Sequence, residues 1–203
     1  MVASSQRIAL LNKYRYINVE FDNWWDCVEA DFVEDMKKIG VHVDKLYFSG
    51  FCSQGDGACF VGSLSNALTY LDHHHKDQFP MIRKLLEHGG GVYAVTTHRG
   101  NYCHSNSVTI NVETDRFYQC LEAKSELQER VIEQWDELLY KEVDDFENAI
   151  SDQWRTYMND VYRKLEAEYD YLTSDEAVWE TLEANELVED VDDDEYFSQG
   201  EAA

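Results

Sequence analysis

The fold is decided by residues 45–62, which read KLYFSGFCSQGDGACFVG. Residues 45–51 and 58–62 are rich in aromatic and apolar side chains, a composition that is typical of strands. Residues 53–57 lie between them and contain Asp56-Gly57, a dipeptide that favours the tight turn of a hairpin. This stretch therefore predicts two antiparallel strands joined by a short loop.

The flanking sequence extends this hairpin into a small α+β module. Apolar residues at three-to-four spacing predict a helix over 24–39, with Asp22 or Asn23 as its cap and Gly40 as its end. Two more helices are expected at 63–72 and 80–88, the second beginning with Pro80. A second hairpin is expected from residues 92–97 and 107–112. We therefore predict an antiparallel sheet with packed helices over residues 1–112.

The second part of the chain has a different composition. Nine of the ten glycines and the single proline lie at or before Gly100, and residues 101–199 contain neither. Apolar residues then recur at steps of mostly three or four, which predicts helix from Thr114 to Leu172. A break near Ser151-Asp152 would fold it into a hairpin-like pair, and Thr173-Ser174-Asp175-Glu176 resembles a capping box that starts a last helix ending near Glu186. We predict an acidic helical region over 113–187 and a disordered acidic tail over 188–203.

Charge is divided as unevenly as glycine. Residues 1–112 contain 12 acidic and 10 basic side chains, whereas residues 113–203 contain 29 and 7, within a total net charge of −24. Such a field repels nucleic acid and anionic membranes and attracts basic protein surfaces. The expected partner is therefore a basic protein. The long apolar stripe must also be buried, either on the α+β module or against another copy of the chain.

The glycine-rich stretch also carries a family resemblance, together with Phe21-Asp22-x-Trp24-Trp25-Asp26 upstream and Gly100-x-Tyr102-x-His104-Ser105 downstream. These motifs resemble a family of small phage, prophage and plasmid proteins whose hallmark is similar to FSGFxSQGDGAxF and which are sometimes labelled antitoxin-like. The resemblance covers residues 20–112 and, more weakly, residues 168–176. Cys52 departs from it, because the family has an aromatic residue there. The resemblance implies a mobile-element origin and leaves the biochemistry open.

Several residues invite a more chemical interpretation. Ser53, Gln54 and Asp56 could form a binding loop, with an unusual structural hairpin as the alternative. A cluster of His98, Cys103 and His104 could serve a metal or an enzyme. His73-His74-His75 point in three directions on a helix and cannot all bind one ion. We expect no metal and no cofactor, and the five cysteines, with no C-x-x-C pair, are expected to be thiols.

The function predicted from these features is inhibition without catalysis. Carboxylates spread along helices can imitate the phosphates of DNA and bind a basic host protein such as a nuclease or CRISPR effector. The expected partner-binding residues are Glu122, Glu126, Glu129, Glu133, Asp136, Glu137, Asp144, Asp145, Asp152 and Asp160. One alternative is a protein antitoxin or transcription regulator that binds a toxin or polymerase. Another is an enzyme using the glycine-rich loop with His98 or His104.

The expected location is the cytoplasm of the host cell. The sequence contains no run of 18 apolar residues, and its first residues lack the basic and then apolar order of a signal peptide.

Overall fold

A computed structural model describes residues 4–21 and 23–188 and forms an α+β fold. The strands are β1 (Val41–Ser49), β2 (Gly57–Leu64), β3 (Val92–His98) and β4 (Val108–Thr114). The α-helices are α1 (Ser4–Lys13), α2 (Asp26–Lys38), α3 (Ala67–His74), α4 (Pro80–Glu87), α5 (Phe117–Cys120), α6 (Glu126–Leu172) and α7 (Asp175–Ala184). The predicted α+β class is confirmed. The predicted tail lies outside the described residues except for Val188, as does the cap candidate Asp22.

The four strands form one antiparallel sheet in the order β1-β2-β3-β4. The predicted hairpin is confirmed, with Leu46 opposite Phe60 and Ser49 opposite Gly57, and a bulge lies between Val43 and Lys45. Gly40 lies between the end of α2 and the start of β1. Its φ of +81° is a left-handed conformation that glycine adopts without strain. The first hairpin is thus confirmed, and the predicted helix is present but begins at Asp26, two residues later than predicted.

The chain divides into two compact units, which do not coincide with the composition boundary at residue 112. One comprises Val28–Arg163, and the other lies within residues 1–27 and 164–203. In the second unit, Leu10 and Leu11 of α1 pack with Val178 and Leu182 of α7. The α1 helix had not been predicted from the sequence.

The core of the Val28–Arg163 unit lies between the sheet and the helices packed on it, which include α2 and α6. Phe60 of β2 has its ring centroid 5.8 Å from that of Phe32 in α2 and 5.5 Å from that of Trp154 in α6. Phe60 and Trp154 have no exposed surface. Burial of such large aromatic groups is the dominant favourable contribution to folding, so α6 is part of the core.

The predicted break in the acidic helical region is wrong, because α6 is continuous over 47 residues from Glu126 to Leu172. Phe146, Ile150, Trp154 and Met158 are buried at a constant spacing of four, and Ser151 faces the interior instead of starting a new helix. The region is therefore one long helix and not a hairpin-like pair.

The predicted helix start at Thr114 is also wrong. Thr114 pairs with Val92, so β4 continues to this residue, and the carboxylate of Asp115 then accepts a hydrogen bond from Gly91 N. The short helix α5 and a connecting segment follow before α6 begins. None of the helices in the described residues contains an apolar stretch that would span a bilayer.

Candidate partner-binding surface

Most of the predicted partner-binding residues are exposed on α6. Nine of the ten lie within α6, Glu122 precedes the helix, and only Asp136 is partly buried. Successive residues of a helix are rotated by about 100°, so the predicted residues lie on different sides of α6. One group shares a single flank, called here the acidic flank: Glu126, Glu129, Glu133, Glu137 and Asp144. Asp145, Asp152 and Asp160 are turned away from it.

Few of the flank carboxylates are neutralised within the chain. Glu126 forms an ion pair with Arg130, at 2.8 Å. Among the described residues, Glu129, Glu133 and Glu137 form no ion pair and accept no side-chain hydrogen bond. The flank therefore presents charges that are available to another molecule.

Two other carboxylates of α6 are occupied by backbone amides. Asp136 accepts hydrogen bonds from Phe117 N at 2.7 Å and Tyr118 N at 3.3 Å, at the start of α5. Glu142 accepts from Met81 N at 3.2 Å and Ile82 N at 2.9 Å, at the start of α4. The first amides of a helix have no partner within the helix and favour a nearby negative charge. Part of the acidic composition therefore has a structural role that the sequence pattern did not predict.

A groove follows the acidic flank where residues 116–123 lie beside α6, wholly within the Val28–Arg163 unit. It contains two cavities of about 410 Å³ and about 560 Å³. Four carboxylates line the smaller cavity: Glu122, Glu129, Glu133 and Asp136. Its other lining residues are Tyr118, Leu121, Ala123 and Ile132. The lining of the smaller cavity thus combines apolar and acidic side chains and includes no basic residue.

The larger cavity continues from the smaller one, since Tyr118, Glu133 and Asp136 line both. Glu137, Tyr140, Lys141 and Arg116 complete it. Tyr118 and Tyr140 are unusually open for aromatic side chains, with 65% and 61% of their surface exposed. The whole, called here the Tyr118 groove, is an aromatic and acidic depression.

An internal cation already uses one of these rings. The guanidinium carbon of Arg116 lies 5.5 Å from the centroid of the Tyr140 ring, within the range of a cation–π interaction. The sequence pattern missed Arg116, Tyr118 and Tyr140, because only the folded chain brings residues 116–118 beside α6. Exposed tyrosines among glutamates were the one available signal.

The glycine-rich loop is held by its own aspartate. Asp56 Oδ2 accepts hydrogen bonds from Cys52 N at 2.9 Å and Ser53 N at 2.6 Å. At Gly57, the first residue of β2, an added Cβ would lie 3.0 Å from the Cα of His104, so glycine favours the close approach of this strand to His104. Ser53 and Gln54 are exposed. Asp56 is thus engaged in shaping the turn, while Ser53 and Gln54 remain accessible.

The histidines beside this loop are also engaged locally. His98 Nε2 lies 2.7 Å from Tyr102 O, and His104 Nδ1 accepts a hydrogen bond from Asn106 N at 3.1 Å. The two cavities of the Tyr118 groove contain neither Asp56 nor these histidines. One ring nitrogen of each histidine is thus engaged with the backbone of residues 102–106.

The thiols near the loop are poorly suited to nucleophilic chemistry. Burial raises the pKa of Cys59 to about 11 and also raises the pKa of Cys103. Both thiols are therefore protonated at neutral pH. They react poorly in this form, because the thiolate is the nucleophile. All five cysteines are free thiols, as the sequence predicted.

The histidine triplet is part of a packed cluster. His74 Nε2 is hydrogen-bonded to the hydroxyl of Tyr157, and its ring centroid lies 4.9 Å from that of Tyr70. Burial, followed by the neighbouring His73 and His75, lowers the pKa of His74 to about 4. Within the described part of the chain, no group of three or more His, Cys, Asp or Glu side chains could hold a metal ion.

A family model described as a domain of unknown function, DUF8835, matches residues 24–175. The chain belongs to the DUF8835 family. The DUF8835 region includes the four strands and the whole of α6, so it also covers residues 113–167, which the sequence resemblance did not include. No curated protein and no solved structure matches the chain. The acidic flank and the Tyr118 groove thus lie within the DUF8835 region.

Proposed function

We propose that this protein is a non-enzymatic inhibitor that binds a basic, nucleic-acid-binding host protein through the acidic flank of α6. The observation that carries the proposal is the availability of Glu129, Glu133 and Glu137, which are exposed and have no cation partner among the described residues. Holding like charges side by side lowers helix stability. A basic partner would relieve this repulsion on binding.

The spacing of the flank suits a surface that normally binds nucleic acid. Carboxylates four residues apart on a helix are separated by about 6 Å along its axis. Duplex DNA carries about one charge per 1.7 Å of axis, which is a denser spacing. The flank would therefore imitate only some of the phosphates that a nucleic-acid-binding surface contacts. Because α6 packs through Trp154 and Phe146 into the core, the carboxylates are held on a rigid support.

The mobile-element part of the proposal is supported by the sequence motifs that resemble phage, prophage and plasmid proteins. Such an origin, in a host cytoplasm, makes a defence nuclease or a CRISPR effector the first partner to test. A toxin or a polymerase is the second, which would make the protein an antitoxin or a regulator. The local engagement of Asp56, His98 and His104 favours binding over catalysis.

The experiment is binding of the full chain to purified basic nucleases and CRISPR effectors at increasing salt. We expect affinity to fall by at least about tenfold between 50 and 300 mM salt, as for interfaces dominated by opposite charges. Unchanged affinity over this range would refute the proposal.

Charge-reversed variants test the location of the interface. We expect Glu133→Lys/Glu137→Lys to weaken binding by about a hundredfold or more, since like charges would then face the partner. The matched control is Asp31→Lys/Glu87→Lys, which changes the net charge equally at exposed sites outside α6. Equal losses in the two variants would mean that binding depends only on net charge and not on the flank.

A further inference from the structure

We infer that the Tyr118 groove binds a short extended segment of the partner with the sequence pattern Arg-x-Arg, one arginine on each side of Tyr118. This inference rests on the proposed function and specifies its recognition element. It concerns a flexible tail or loop of the partner, and not the whole of a folded nucleic-acid channel.

The dimensions of the groove fit two side chains of an extended segment. The α6 residues that line the two cavities are centred about five residues apart, which corresponds to roughly 7 Å along the helix. In an extended chain, residues two apart point to the same side and are separated by about 6.6 Å. One arginine can therefore enter each cavity while the residue between them passes over Tyr118.

The lining of the smaller cavity matches an arginine along its length. Leu121, Ala123 and Ile132 provide an apolar lining for the methylene groups of the side chain. Glu129 and Glu133 are unpaired at the rim, where planar carboxylates can accept two parallel hydrogen bonds from a guanidinium. The chemical complement of this cavity is a long apolar stem with a cationic end.

The aromatic rings favour arginine over lysine. A guanidinium is planar and weakly hydrated, and it stacks on an aromatic face better than an ammonium does. Arg116, whose guanidinium carbon lies 5.5 Å from the centroid of the Tyr140 ring, already makes a cation–π contact inside the groove. Tyr118, 65% exposed and shared by both cavities, offers a second such ring.

Arg116 has a further consequence for the larger cavity. Its guanidinium occupies the face of Tyr140 and adds a positive charge beside Lys141. An incoming arginine must therefore displace Arg116 or bind against its charge. Arg116 is expected to weaken the binding of this segment, so its removal should strengthen it.

The test uses the full chain and a fluorescently labelled peptide, acetyl-Gly-Arg-Ser-Arg-Gly-amide, with fluorescence anisotropy at 50 mM salt. Two matched peptides replace both arginines by lysine or by neutral citrulline. We expect the lysine peptide to bind about three- to fivefold more weakly, from the loss of stacking. The citrulline peptide should bind at least about tenfold more weakly, because it has no charge.

Variants of equal charge locate the binding site. Glu129→Gln/Glu133→Gln should weaken the arginine peptide about tenfold, whereas Asp145→Asn/Asp152→Asn, away from the groove, should change it less than about twofold. Tyr118→Leu should reduce arginine binding to the level of the lysine peptide, and Arg116→Gln should increase it. Circular dichroism of each variant checks that the fold is retained.

The outcomes separate this inference from the proposed function. If basic proteins bind with strong salt dependence but the arginine peptide does not bind, the Arg-x-Arg inference is overturned and the proposed function stands. The same holds if Glu129→Gln/Glu133→Gln and Asp145→Asn/Asp152→Asn weaken peptide binding equally. Equal binding of the arginine and lysine peptides would also overturn it. If neither basic proteins nor peptides bind at 50 mM salt, both are overturned.

Discussion

Replacing Glu142 by alanine tests whether a carboxylate of α6 stabilises the start of α4. Glu142 is partly buried and accepts hydrogen bonds from Met81 N at 3.2 Å and Ile82 N at 2.9 Å. Loss of a helix cap costs about 0.5–2 kcal/mol, and loss of a negative charge near the positive end of the helix dipole costs about 0.3–1 kcal/mol. Relief of repulsion in a chain of net charge −24 opposes these losses. We therefore expect destabilisation by about 1.5 kcal/mol.

The assay is thermal or urea unfolding followed by circular dichroism, and the expected decrease in Tm is about 3–6 °C for a chain of this size. Asp144→Ala is the matched control, because it removes the same charge from an exposed position on the same helix. It is expected to be neutral or slightly stabilising. Hydrogen exchange at the amides of Met81 and Ile82 should accelerate only in the Glu142 variant. Equal stability of the two variants would refute the capping role.

Three further predictions concern the Val28–Arg163 unit and its border. Trp154→Ala should destabilise the fold by about 3–5 kcal/mol, measured by urea unfolding, because it leaves a large cavity against the sheet; a loss below about 1 kcal/mol would contradict the packing. The pKa of His74 is lowered to about 4 from its ordinary 6.5, so the folded state stays neutral while the unfolded state takes up a proton. Stability should therefore be complete above pH 6.5 and decrease as the pH falls towards 4, by about 1–2 kcal/mol after allowance for partial exposure, and His74→Phe should reduce this dependence. Iodoacetamide at pH 8 should modify the exposed Cys27 and Cys52 and spare the buried Cys59, as read by mass spectrometry, and rapid modification of Cys59 would show that it is accessible.

The sheet was predictable because its determinants are local. The glycine-rich loop of residues 50–56, the flanking apolar runs and Gly40 lie within a few residues of the elements they control. Pro80 likewise begins α4, as its missing N–H and fixed φ favour. The strands are one to three residues longer than predicted, because pairing with a neighbouring strand extends them beyond their apolar cores.

The acidic helical region was harder to predict because the spacing of its apolar residues is irregular, so they do not mark one constant face of a helix. A buried face drawn through the apolar residues Leu127 and Leu138 would be in error, because they are 73% and 44% exposed and the buried residues are Ile132 and Leu139. The error is a shift of one or a few residues, which rotates a helix face by about 100° per residue. Only contact with the rest of the core fixes which of two adjacent apolar residues faces inward.

The candidate site was predictable in its charges and not in its shape. Four of the predicted carboxylates line one cavity, but the approach of Tyr118 to α6 depends on the hydrogen bonds that Asp136 accepts. Such a contact joins residues 18 and 19 positions apart through a carboxylate that resembles its neighbours in the sequence. Nothing in the local pattern distinguishes Asp136 from Glu137.

The order of the sheet also has a consequence for how the chain folds. Each strand pairs only with its neighbours in the sequence, so the β1-β2 and β3-β4 hairpins can form from short loops. Hairpins of this kind form within about 1–10 μs, whereas Trp154 must reach Phe60 across more than ninety residues. Closing that long loop has a larger entropic cost, so we expect the hairpins to precede the docking of α6. During synthesis on the ribosome, the apolar inner face of the sheet is therefore expected to stay exposed to solvent until α6 has been made and covers it.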